Sequence, residues 1–224
     1  MRGLIFILLL STLGLQAQKR FVNSIHIDLY GNQIDGDGVG GYNYLGINGG
    51  LGTLYRLERK RGTLGFEMNY AQKGARKWPR TNGDELDEFL LEEETSNSFL
   101  NQLNYVEVPL FFIFESWGIP FEFGPTFSYL INFKSKNNGL LVGPNQDFRE
   151  FEMGLMFGIN YKISEKVYFK FRITNSITPI IKAEVPNFSN LLAGYWHRGA
   201  GLNLTYYFNN PSFKSEVLPP VLKE

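Results

Sequence analysis

The feature that most constrains this chain is a two-residue alternation of apolar and polar side chains, held almost throughout eight separate segments between residues 21 and 208. A period of two sends successive side chains to opposite faces, so each segment reads as a strand lying between two environments. Residues 119–133 show it most clearly: Phe121, Phe123, Phe127, Tyr129, Ile131 and Phe133 alternate with Glu122, Gly124, Thr126, Ser128 and Asn132. An amphipathic helix would repeat every 3.6 residues and cannot give this order.

The other seven segments follow the same rule. Residues 21–30 set Ile25, Ile27 and Leu29 against His26, Asp28 and Tyr30, and residues 45–57 set Ile47, Leu51, Tyr55 and Leu57 against Asn48, Gly50, Gly52 and Arg56. Residues 63–73 put Leu64, Phe66, Met68 and Tyr70 opposite Glu67 and Asn69, and in 103–114 Val106, Val108, Leu110 and Phe112 share a parity that excludes Glu107. Further on, Phe151, Met153, Leu155, Phe157, Ile159 and Tyr161 oppose Glu152, Gly154, Gly158 and Asn160. Val167, Phe169, Phe171 and Ile173 oppose Tyr168, Lys170, Arg172 and Thr174, and Leu202, Leu204, Tyr206 and Phe208 oppose Gly201, Asn203 and Thr205.

A tilted strand of about 9 to 11 residues crosses a bilayer, and most segments reach that length. The connections alternate long and short: 31–44, 74–102, 134–146 and 175–194 are long and polar, whereas 58–62, 115–118 and 164–166 are tight turns. These features predict an all-β fold, an eight-stranded antiparallel up-and-down transmembrane β-barrel with long outside loops, short periplasmic turns and both chain ends in the periplasm. A soluble sandwich or barrel also has period-two strands, but its polar face would be rich in Lys and Asp. Here that face is Gly, Asn, Thr, Ser and Glu.

The N-terminus carries a secretory address: Arg2, an apolar run from Leu4 to Leu15, and Ala17 at the cleavage point. The run is too short for a spanning helix. The domain reading is therefore a cleaved leader at 1–17, a barrel at 18–208 and a Pro-containing periplasmic tail at 209–224, with Pro211, Pro219 and Pro220. Twenty-two Lys and Arg balance 22 Asp and Glu, so no positive field gathers a nucleic acid, and the absence of Cys removes disulfides and thiolate sites.

Several of these pieces, taken in order, resemble the PorT-like outer-membrane β-barrel domain proteins of Bacteroidetes, a Gram-negative group. They are Gln33-Ile34-Asp35-Gly36-Asp37-Gly38 followed by Gly41-Tyr42 and Leu45-Gly46, then Tyr70-Ala71-Gln72-Lys73-Gly74, Leu103-Asn104-Tyr105-Val106-Glu107-Val108-Pro109-Leu110 and Gly124-Pro125-Thr126. The resemblance implies an eight-stranded barrel in the outer membrane, without catalytic residues. Its family name alone suggests an accessory role in protein secretion. The continuation past Phe208 departs from barrels that end on the last aromatic.

The inward parity collects Glu67, Glu107, Glu122 and Glu152 with Arg56, Lys170 and Arg172. Eight strands leave an interior that such side chains can fill, so the expectation is a packed structural ionic network, with a proton or small-ion path as the sharper alternative. Catalytic, cofactor and metal sites are not expected. Asp35 and Asp37 open like a calcium loop, but Gly46 stands where its closing Glu belongs, and the acidic run from Asp84 to Glu94 reads as a solvated loop face. His26 and His197 belong to opposite ends of the barrel, leaving His197 with Ser189 or Glu184 as the one conceivable enzymatic set, without a nucleophile motif. The expected partners are outer-membrane lipid, lipopolysaccharide and, during insertion, the barrel-assembly machinery. The role expected for a monomeric chain is structural, binding or assembly, with a porin-like channel as its rival.

Overall fold

The computed structural model describes residues 21–36, 41–57, 62–77, 98–138, 140–142, 148–181 and 195–211. They form β1 (Phe21–Asp35), β2 (Tyr44–Arg56), β3 (Thr63–Lys77), β4 (Phe99–Ser116), β5 (Ile119–Asn137), β6 (Leu140–Val142), β7 (Phe151–Lys162), β8 (Val167–Ser176) and β9 (Trp196–Tyr207). Every strand pairs antiparallel with its sequence neighbours, except that β5 bonds directly to β7. The pairing of β1 with β9 then closes a ring of eight. The three-residue β6 lies outside that ring, paired with the last residues of β5 from Ser135 to Asn137.

Closure leaves no free edge along the ring, as a hydrocarbon setting requires of a backbone that water cannot reach. The short connections lie at one rim. Between β4 and β5 it is a two-residue turn at Trp117 and Gly118, both with positive φ (52° and 78°), the mirror-image turn whose twist matches a hairpin.

The predicted faces hold through the wall. Ile27, Leu51, Met68, Phe123, Leu155, Phe157, Phe171 and Leu204 point outward and are exposed, while Asp28, Glu67, Glu122, Asn160, Arg172 and Asn203 point inward and are buried. Outward rings stack across β4, β5 and β7 near the short-turn rim, where Phe114 lies 5.6 Å from Phe121 and Phe121 lies 6.2 Å from Phe157. Inward glycines make room for rings: a Cβ on Gly201 would come within 2.5 Å of Tyr30 Cδ2.

Two expectations change. Several strands run further toward the long-connection rim than the apolar pattern indicated: β1 continues to Asp35, β3 to Lys77 and β5 to Asn137, and β4 already begins at Phe99. Above the lipid the outer face no longer has to be apolar, so pairing continues where the alternation fades. The second change concerns Phe133. The β4–β5 register shifts between Asn104 and Tyr105, whose partners are Asn132 and Leu130, leaving Ile131 as an extra residue. This bulge reverses the parity of the rest of β5. Phe133 turns inward and packs 5.2 Å from Phe148.

Candidate functional site: the filled lumen

The inward side chains form two apolar clusters and two ionic groups. The lower apolar cluster, Val22, Leu54, Phe111, Ile113, Met156, Tyr168 and Tyr207, extends from the short-turn rim up to the first ionic group, where Phe111 lies against Lys170 and Arg172. Nearest the long-connection rim is a second, made of Ile34, Ala71, Ala75, Leu103, Tyr105, Phe148 and Ile180, against which Phe99, Leu130 and Phe133 pack. Two ionic groups lie between them.

The lower group is built around Arg172 on β8. Its Nη1 and Nη2 donate to Glu67 Oε2 and Oε1 at 2.7 and 2.8 Å, and its Nε donates to Glu122. In the order of the ring β8 stands four strands from β3, so the Arg172–Glu67 pair spans the full diameter. Lys170 Nζ lies 3.6 Å from Glu67 Oε1 and 3.9 Å from Glu122 Oε2, and above the rings of Tyr207 and Phe111 (5.5 and 5.9 Å). Arg172, Lys170 and Glu122 are at most 1% exposed. Asp28 accepts from Asn203 Nδ2, and His26 Nε2 stops 3.8 Å from Glu67 Oε2, beyond hydrogen-bond reach.

The upper group is built around Lys73 on β3. Its ammonium has three donors and meets three acceptors: Glu107 Oε2 at 2.6 Å, Glu152 Oε1 at 2.9 Å and Ser128 Oγ at 3.1 Å. Ser128 in turn donates to Glu107 at 2.8 Å. His197 Nδ1 contacts the other oxygen of Glu152 at 2.6 Å and sets its ring edge-on to Tyr105.

Six of the seven predicted network residues thus meet inside the barrel, in two groups: Glu67, Glu122, Lys170 and Arg172 below, Glu107 and Glu152 above. Arg56 does not join them. It has the inward parity, but it sits half-exposed at the short-turn rim, where Nη2 donates to the Asn210 carbonyl at the start of the tail. A rim position gives its long side chain water and a carbonyl, so nothing draws the guanidinium down past Val22 and Leu54. Lys73, Ser128 and His197 were missed as partners. Lys73 continues the parity of Glu67 and Asn69 by two more steps, a signal available in the sequence.

The histidines occupy separate ionic groups, as their strand positions predicted; Ser189 and Glu184 lie outside the described residues, as do the acidic run and Asp37. Asp35 accepts from Arg198 Nε at 2.7 Å and from Gln33. Among the described residues no three His, Asp or Glu side chains gather with metal-ligand spacing.

Residues 11–182 match the family described as outer membrane protein beta-barrel domain. Among solved structures, the chain is similar to a major outer membrane protein from Thermus thermophilus, with 10% identity and a TM-score of 0.45 over 84% of this chain and 99% of that one. It is also similar to Neisserial surface protein A (11% identity, TM-score 0.44, 84% and 97% covered) and to CarO of Acinetobacter baumannii (10%, 0.42, 82% and 97%). No curated protein sequence matches it.

Proposed function

Because the chain belongs to the outer membrane protein beta-barrel domain family and is a protein of the outer membrane, we propose that it is a filled, non-conducting barrel, a structural or binding platform whose specificity lies in its long connections. The observation that carries this reading is the cross-lumen pair of Arg172 and Glu67. Eight strands enclose little more than the volume of their own side chains, and here a guanidinium bridges that width with an apolar layer on either side. A porin-like path would need a continuous column of water past both apolar clusters and both ionic groups.

The rest of the reading follows the sequence. A leader at 1–17 is removed, the barrel-assembly machinery inserts residues 18–208 as a monomer among lipid and lipopolysaccharide, and the tail after Phe208 stays in the periplasm beside Arg56. The motifs shared with the PorT-like proteins support membership of that narrower group. The same packing favours a role without catalysis, since His197 and Glu152 lie beneath the upper apolar layer, away from any substrate.

Planar-bilayer recording of the refolded chain tests the proposal. The expected result is a membrane without stepwise currents from protein whose gel mobility shifts on heating. Reproducible single-channel steps would overturn it.

A further inference from the structure

Above the lipid belt, the outer wall of β3, β4 and β5 carries a polar stripe that the filled lumen does not use. Lys73, Leu103 and Phe133 point inward, so by alternation their neighbours point outward: Gln72 and Arg76 on β3, Gln102 and Asn104 on β4, Lys134 and Lys136 on β5. The register sets them in three rungs. Gln72 faces Asn104 and Asn104 faces Asn132; Gly74 faces Gln102 and Gln102 faces Lys134; Arg76 faces Leu100 and Leu100 faces Lys136.

The lowest rung is already organised. Asn104 Oδ1 accepts from Tyr70 Oη at 2.9 Å and from Gln102 Nε2 at 3.3 Å, and Asn104 Nδ2 donates to Asn132 at 2.5 Å. Gln72 Oε1 accepts from the Ile47 amide at 3.3 Å. Tyr70 and Tyr129, both outward, lie near the top of the apolar wall, which on β5 closes with Ile131 just below Asn132. With about 3.3 Å per residue and a tilt near 45°, Asn132 to Lys136 stand roughly 5 to 15 Å above Tyr129. Among the described residues neither Lys134 nor Lys136 forms an ion pair; the carboxylate of Glu150 lies lower, 3.5 Å from Tyr129 Oη.

An open apolar groove of about 820 Å³ runs up the adjoining wall to the same rung, lined by Ile25, Ile27, Ile47, Gly49, Tyr70 and Gln72 among others. Cations and amides at headgroup height, meeting an apolar groove below, complement one kind of molecule. We infer that this stripe binds the headgroup of a phosphorylated glycolipid in the outer leaflet. Lys134 and Lys136 take a phosphate, the amides of Gln72, Gln102 and Asn132 pair with sugar hydroxyls, and an acyl chain lies in the groove over Gly49. A glycerophospholipid offers the phosphate without the ring of hydroxyls. The inference rests on the proposed orientation, with long connections outside, and is independent of whether the lumen conducts.

Native mass spectrometry of the full chain in detergent, with diphosphoryl lipid A or phosphatidylglycerol added, tests it. Wild type should retain one lipid A in preference to phosphatidylglycerol. Retention should fall at least about tenfold in Lys134→Gln/Lys136→Gln, and fall also in Asn132→Asp, which sets a negative charge beside the phosphate. Lys162→Gln, at the opposite rim, should bind as wild type does. Heat-shifted gel mobility checks that each variant folds, and bilayer currents are read separately. Equal retention by wild type and the double variant, or equal retention of the two lipids, would overturn the assignment.

Discussion

The two ionic groups of the lumen solve one problem, burying charge beside hydrocarbon, with different chemistry. The lower group pairs two carboxylates, Glu67 and Glu122, with two cations, Lys170 and Arg172, beside the amide-bonded Asp28, and its geometry depends on a planar fork that reaches the opposite wall. The upper group gathers two carboxylates around one ammonium, with Ser128 and His197 completing the shell. Arginine suits the first because its five donors are fixed in a plane that matches a carboxylate; lysine suits the second because a compact charge can address three acceptors in different directions. The groups also differ in burial. Side chains of the lower one are at most 2% exposed, whereas Lys73 and Glu107 are each 9% exposed. Distance from water makes the lower group the more demanding of complete pairing.

The largest effect is expected for Arg172→Met, which leaves Glu67 and Glu122 with Lys170 alone and should cost about 3 to 5 kcal/mol of folding stability. Urea titration of the refolded chain in vesicles, followed by tryptophan fluorescence, is the measurement. Lys73→Met breaks the upper group, where water is nearer, and should fall at the low end of the same range, about 3 kcal/mol. If it matches or exceeds Arg172→Met, the contrast between the groups is wrong. Glu152→Gln keeps its shape but weakens the contacts with Lys73 and His197, and about 1 to 2 kcal/mol is expected from the same titration. At the bottom of the scale, Arg56→Ala should change stability by less than about 0.5 kcal/mol, since its guanidinium lies at the rim. A loss comparable to that of Lys73→Met would return Arg56 to the network.

The wall of the barrel was legible in the sequence because the bilayer forces one face of every strand to be apolar, and Phe121 to Phe127 or Phe151 to Tyr161 carry that requirement residue by residue. Beyond the bilayer the requirement lapses. The upper ends of β3, β4 and β5 therefore carry a loop-like sequence, although they are paired through Lys77, Phe99 and Asn137. The bulge at Ile131 left no mark, since one extra residue in an alternating run is invisible until its partner strand is known. The inward charges were legible as a set, but their division was not. Which carboxylate meets which cation depends on the stagger around the closed ring, and that brings Glu67 to Arg172, 105 positions apart.

The pair that crosses the lumen also acts as a gauge of closure. Until β8 takes its place across the ring from β3, Arg172 cannot reach Glu67, so the pair forms only as the circle is completed. A slip of one residue in β8 would send Lys170 and Arg172 toward acyl chains and bring Phe169, Phe171 and Ile173 inside, exchanging every favourable placement for an unfavourable one. Neighbouring strands check their alignment locally through backbone bonds; this ion pair compares strands that never touch, and it rewards only the ring in which all eight have found their register.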